Sequence, residues 1–139
     1  MDYAVAGGDA VALHGAVRGS IDVDVVLRWT KRTLERAEDA LGGMGLVSRL
    51  PVTAASVFDN RDEYIHRRNM IAWNFHNPRN RIEHVDILIT HDLAAVDAVE
   101  IEAESGPVRV LAIDDLIAMK RESDRVQDVA DVQALERLR

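Results

Sequence analysis

The sequence predicts an α/β (α+β) fold in a single domain covering residues 1–139, and three observations carry that prediction. The segment Ile21–Leu27, IDVDVVL, is rich in β-branched residues and alternates strictly at its start, the pattern of a strand in a central sheet. Residues Lys31–Met44 carry Leu34, Ala37, Ala40 and Leu41 on one side and Arg and Glu on the other, the pattern of an amphipathic surface helix. The chain closes on apolar residues at Val129, Val132, Leu135 and Leu138, again in helical register.

The remaining elements follow in order. Tyr3–Ala6 is short and apolar and runs into Gly7-Gly8, so it reads as a strand ending at a tight turn. Asp9–Ala16 places Ala10, Val11, Leu13 and Ala16 at helical spacing, bracketed by Gly15 and Gly19. Thr30 is the expected cap of the long helix, and Gly42, Gly43 and Gly45 mark its fraying end. Leu46–Leu50 and Ser56–Phe58 read as short extended pieces around Pro51, and residues 59–68 as a polar turn. Asn69–Phe75 and Arg81–Ile89 read as a hairpin joined by HNPRN. Leu93–Ala98 reads as a short helix or turn. Val99–Ala103 and Val108–Leu111 are expected as strands about Ser105-Gly106-Pro107. Asp114 is the expected cap of a helix over Asp115–Arg121, and Val126–Leu138 forms the last helix.

Composition narrows the function. Eight glycines and three prolines in 139 residues argue for a folded chain, and the absence of cysteine excludes disulfides and thiolate metal sites. That absence matches a reducing compartment, so a cytoplasmic location is expected. The first ten residues lack a basic start followed by a long apolar run, and no apolar stretch reaches the roughly twenty residues of a membrane span. Seventeen basic against twenty-four acidic residues give a formal charge of −7, which disfavours a large polyanionic partner. A triphosphate stays compatible, because local cations and divalent metal can neutralise a small anion.

The chemistry concentrates in three acids. Side chains two apart on a strand share a face, so Asp22 and Asp24 project together. Two neighbouring carboxylates in an apolar strand repel and lose hydration unless a cation takes up their charge. Asp86 repeats the anomaly between Val85 and Ile87, and strand pairing would bring it beside the first two. Three carboxylates make the oxygen-rich shell that Mg2+ prefers. An Asp-x-Asp pair by itself is more often a turn, a strand end or a solvated face; the glycine pair, the helix start, the Arg18-Gly19-Ser20 approach and the third Asp favour the site. Gly7-Gly8 ahead of a helix offers backbone N–H groups to phosphate, or is simply a tight turn. Neither a P-loop nor a Gly-x-Gly-x-x-Gly loop is present.

Residues 6–27, AGGDAVALHGAVRGSIDVDVVL, resemble the opening motif of AbiEii-type nucleotidyltransferases, in the polymerase-β-like nucleotidyltransferase superfamily. Residues 114–135, DDLIAMKRESDRVQDVADVQAL, are similar to that family's closing pattern. The resemblance implies a minimal nucleotidyltransferase fold, a mixed β-sheet flanked by helices with further helices at the C-terminus. It implies that Asp22, Asp24 and Asp86 are catalytic and hold Mg2+, with Asp86 as ligand or general base. Gly7, Gly8, Arg18, Ser20, Lys120 and Asp128 would bind the nucleotide, Lys120 by neutralising phosphate charge and Asp128 by orienting a base or a basic neighbour; Arg125 and Asp131 complete the pattern. For Lys120 and Asp128 a plain charged helix face is an equal alternative. Asp9 departs from the family, many of whose relatives place a hydroxyl there, and an acid would repel phosphate unless turned outward.

The resulting expectation is transfer of a nucleoside monophosphate from a nucleoside triphosphate to an acceptor hydroxyl, with release of pyrophosphate. The acceptor is left open among a small molecule such as an antibiotic, a protein or tRNA, with the acidic charge disfavouring tRNA. The resemblance is compatible with a toxin of a toxin–antitoxin or phage-defence system and equally with an antibiotic-modifying enzyme, and does not choose between them. Relatives usually carry a helix before the first strand, so the expectation is either a truncated start or an uncovered partner surface that a homodimer would cover; an antitoxin is the other expected partner. The competing readings are a non-catalytic nucleotide- or partner-binding protein that keeps the fold, and a metal-dependent nuclease, which would leave the glycine pair and Lys120 unexplained. The five histidines fall at no zinc spacing; His84, two before Asp86, is expected to be structural before it is a site residue.

Overall fold

The computed structural model describes residues 3–6, 22–103, 106–123 and 126–138. Seven strands form one mixed sheet: β1 (Tyr3–Ala6), β2 (Asp22–Leu27), β3 (Val47–Ser48), β4 (Ala72–Asn77), β5 (Asn80–Leu88), β6 (Ala98–Ala103) and β7 (Gly106–Leu111), in the spatial order β3-β4-β5-β2-β1-β7-β6. β2 runs parallel to β5 and β1 parallel to β7, while the other neighbours are antiparallel. The helices are α1 (Lys31–Gly43), α2 (Ala54–Asp59), α3 (Arg61–Arg68), α4 (Ile113–Ser123) and α5 (Val126–Arg137), with a 3₁₀ turn at Leu93–Ala95. Among the described residues no helix is long and apolar enough to cross a membrane.

Local chemistry explains the boundaries. Thr30 caps α1, its hydroxyl accepting from the Thr33 N–H at 3.1 Å. The helix ends in a Schellman motif: Leu46 N–H reaches Leu41 O at 2.9 Å and Gly45 N–H reaches Gly42 O at 3.1 Å. Gly45 takes φ 86°, a left-handed conformation that glycine adopts without steric cost. The expected extended piece at Ser56–Phe58 is instead the helix α2, and the expected turn over residues 59–68 is largely α3. A capping box explains the first difference, with Thr53 and Ser56 satisfying each other's backbone N–H groups. For the second, Asp62 and Glu63 sit in the first turn of α3 and His66, Arg67 and Arg68 in its last, both matching the helix dipole. Helix α4 begins at Ile113, so Asp114 lies in its first turn instead of capping it.

Alternation along β2 sends its two faces to different cores. Val26 joins Ala4, Ala6, Val110, Leu116, Ile117 and Leu135, so α4 and α5 cover that face. Leu27, Trp73, Phe75, Ile87 and Ile89 pack with Leu34, Ala37, Ala54, Val57 and Tyr64, so α1, α2 and α3 cover the other. Of the expected C-terminal apolar stripe only part is covered: Leu135 on α5 is buried, whereas Val129 on α5 and Leu138 just beyond it stay exposed.

Candidate functional site

Asp24 and Asp86 are direct partners in the parallel register of β2 and β5, with Asp22 opposite His84 two residues along. Neighbouring strands lie roughly 4.8 Å apart, so the two carboxylates leave adjacent backbones on the same face. That face is the one carrying α4 and α5, since Asp24 and Val26 alternate with the oppositely directed Val25 and Leu27. The antiparallel strand β4 adds Asn74 opposite Asp86, and the Asn74 side-chain amide donates to Asp86 Oδ1 at 2.7 Å. This bond fixes one oxygen of Asp86 and leaves its remaining lone pairs for another partner.

Asp24 and Asp86 line a cavity of about 680 Å³ with Ile71, Ala72, Leu88, Thr90, His91, Leu116, Met119, Lys120 and Glu122. That volume lies in the range of small-ligand sites. The cavity therefore has acids on the sheet side, Lys120 on α4, and an apolar shelf between β4, β5 and α4. At its far end His91 shares a 2.9 Å hydrogen bond with Thr90 Oγ1 through Nδ1, and its Nε2 lies 3.7 Å from Glu122. Arg61 braces this end: its Nε donates to Ile89 O at 2.8 Å while its guanidinium sits 4.3 Å from the centroid of the Trp29 ring.

Lys120 is buried and lies 3.2 Å from both Asp128 and Asp131, two acids of α5 that are themselves buried. Asp128 thus meets a basic neighbour. A lone ammonium between two carboxylates spends part of its charge within the fold, which lowers what it offers a phosphate. Lys120 and Asp128 also line a second, smaller cavity of about 260 Å³.

Gly7, Gly8, Asp9, Arg18 and Ser20 lie outside the described residues, as do the helix expected over Asp9–Ala16, the Asp22 side chain and Arg125. Among the described residues no group of three or more His, Cys, Asp or Glu side chains is gathered around a metal position. The carboxylates of Asp24 and Asp86 nevertheless suit a hard divalent cation: they are oxygen donors on adjacent backbones at a cavity wall, and Asn74 orients one of them. Asn74 was not singled out from sequence, although its place between Trp73 and Phe75 repeats the anomaly of Asp86.

A mixed sheet with acids paired across parallel strands, helices on both faces and two helices at the C-terminus has the architecture of a nucleotidyltransferase-like fold. Among solved structures the chain is similar to an antigenic nucleotidyltransferase-like protein from Paracoccidioides brasiliensis, at 15% sequence identity and a TM-score of 0.56, over 96% of this chain. The chain spans 66% of that protein's length. No protein-family model matches the sequence, and no curated protein matches it.

Proposed function

We propose that this chain is a magnesium-dependent nucleotidyltransferase of the AbiEii type, moving a nucleoside monophosphate from a nucleoside triphosphate to an acceptor hydroxyl. The observation that carries this reading is the register pairing of Asp24 with Asp86 at the wall of a ligand-sized cavity within a nucleotidyltransferase-like fold. Asp22, Asp24 and Asp86 hold the metal, which when bound supplies charge stabilisation for the attacking and leaving oxygens. Asn74 keeps Asp86 in the orientation that its role as ligand or base requires. Lys120, held by Asp128 and Asp131, presents a fixed cation from α4. Gly7, Gly8, Arg18 and Ser20 bind phosphate. The protein works in the cytoplasm as a toxin or as a modifier of a small molecule, protein or tRNA, with a second copy or an antitoxin as partner.

The test is calorimetric titration of ATP and GTP with and without magnesium on the wild type, on Asp22→Asn/Asp24→Asn and on Asp86→Asn. Metal-dependent binding that disappears in the variants is the expected result, followed by pyrophosphate release once an acceptor is supplied. A folded wild type that binds neither nucleotide would sink the reading and favour a non-catalytic protein retaining the fold.

A further inference from the structure

Beside the acid row the same face of the sheet carries a small basic group. His84 lies two residues before Asp86 on β5, roughly 7 Å along the strand, and is the register partner of His76 on β4. By alternation His76, His84, Asn74 and Asp86 share one face, opposite Trp73, Phe75 and Ile87. Arg49 follows β3; its backbone N–H donates to Asn74 O at 2.9 Å, which ties it to the residue that holds Asp86. Its Nη2 lies 3.0 Å from His84 Nδ1.

The last contact has one chemical reading. A guanidinium only donates, so Nδ1 of His84 is the acceptor and the ring proton sits on Nε2. His84 is therefore a donor through Nε2, and its Nδ1 is not available to a metal. Among the described residues no carboxylate pairs with Arg49, His76 or His84, and His76 Nδ1 is buried without a hydrogen-bond partner. In a chain of formal charge −7 this leaves a guanidinium and two imidazoles together, with donors directed at no acid among the described residues.

We propose that Arg49, His84 and His76 form an oxyanion site for a phosphate group carried by the acceptor. Arg49 presents its remaining N–H groups and His84 its Nε2–H to the phosphate oxygens, while the bond from Arg49 to Nδ1 keeps His84 in the donating tautomer. Assigning the phosphate to the acceptor rests on the transferase reading above. The anion site itself does not, and is tested without magnesium or triphosphate.

The experiment is long-range 1H–15N NMR of the histidine rings in the labelled wild type, titrated with inorganic phosphate at constant ionic strength. His84 is expected as the Nε2–H tautomer, its Nε2 resonance shifting saturably with phosphate. Arg49→Gln is expected to lose the fixed tautomer and to weaken phosphate binding about tenfold or more, since a charged hydrogen bond contributes about 1.5–3 kcal/mol. Arg49→Lys should recover only part of it. A His84 proton found on Nδ1, no response to phosphate, or equal binding by Arg49→Gln would each overturn the proposal. A 5′-mononucleotide and a short single-stranded RNA then compete for the bound phosphate. Displacement by the mononucleotide assigns the phosphate to a small acceptor, displacement by the RNA alone assigns it to a polymer, and displacement by neither overturns the acceptor assignment. Loss of magnesium-dependent nucleotide binding with phosphate binding intact would instead count against the transferase reading alone.

Discussion

Asp86 shows how much one side chain depends on its neighbour. Its carboxylate stands in a β-branched strand, next to Asp24 on the adjacent backbone, with the Asn74 amide on one of its oxygens. Asn74→Ala should therefore leave the fold within about 1 kcal/mol of wild type, the usual net worth of a hydrogen bond. If the proposed function holds, the same substitution should weaken magnesium-dependent nucleotide binding by roughly 10–100-fold, because groups that orient a ligand act on affinity. Calorimetry beside a thermal melt checks both, and unchanged affinity would remove Asn74 from the site. Lys120 is the opposite case. Replacing it by Met removes the ammonium that lies 3.2 Å from both buried carboxylates, Asp128 and Asp131, and unfolding in urea should report a loss of about 3–5 kcal/mol. A loss under 1 kcal/mol would mean that solvent already screens the cluster.

Helix ends and their braces set the geometry around the cavity one level up. Thr30 starts α1 through a hydroxyl bond to Thr33 N–H, so Thr30→Ala is expected to cost about 1 kcal/mol in chemical denaturation. Gly45 ends the same helix at φ 86°, and Gly45→Ala should cost about 1–2 kcal/mol for the left-handed backbone alone, since a Cβ there meets nothing within 4 Å. Arg61 links α3 to Ile89 O, directly before Thr90 and His91 at the far end of the cavity. Arg61→Ala should therefore lower the protection from hydrogen exchange of the Ile89 amide, which donates to Ile71 O at 3.0 Å, while β2 keeps its protection.

The two cores on either face of the sheet bind the acid row to global stability. Trp73 is fully buried, stacks at a tilt 4.7 Å from Phe75 and donates its Nε1–H to Ser48 Oγ at 2.9 Å. Its neighbour Asn74 points to the opposite face, so core and site are set by alternate residues of one strand. Trp73→Ala should cost about 3–5 kcal/mol, checked by urea unfolding. If β4 loses its register, the Asn74–Asp86 bond goes with it, and on the proposed function nucleotide affinity should fall together with stability. A variant that loses stability while affinity holds would show that the site tolerates a loosened β4.

The sequence by itself determined the strands and the long helix whose periods are strong, because alternation in IDVDVVL and the apolar stripe of α1 are local properties of a pleat and a helix. It also singled out Asp24 and Asp86, since a carboxylate in an apolar strand is anomalous before any fold is known. It misread Ser56–Phe58 and residues 59–68, where a capping box and charges at the helix ends decide the outcome and apolar periodicity is weak. Only the tertiary structure decided the register that sets Asp24 against Asp86, the Asn74 bond, the pairing of Lys120 with both Asp128 and Asp131, and the contact of Arg49 with His84. These contacts join residues far apart in the chain. Local pattern fixes which face a side chain takes; the packing of distant segments fixes what it meets there.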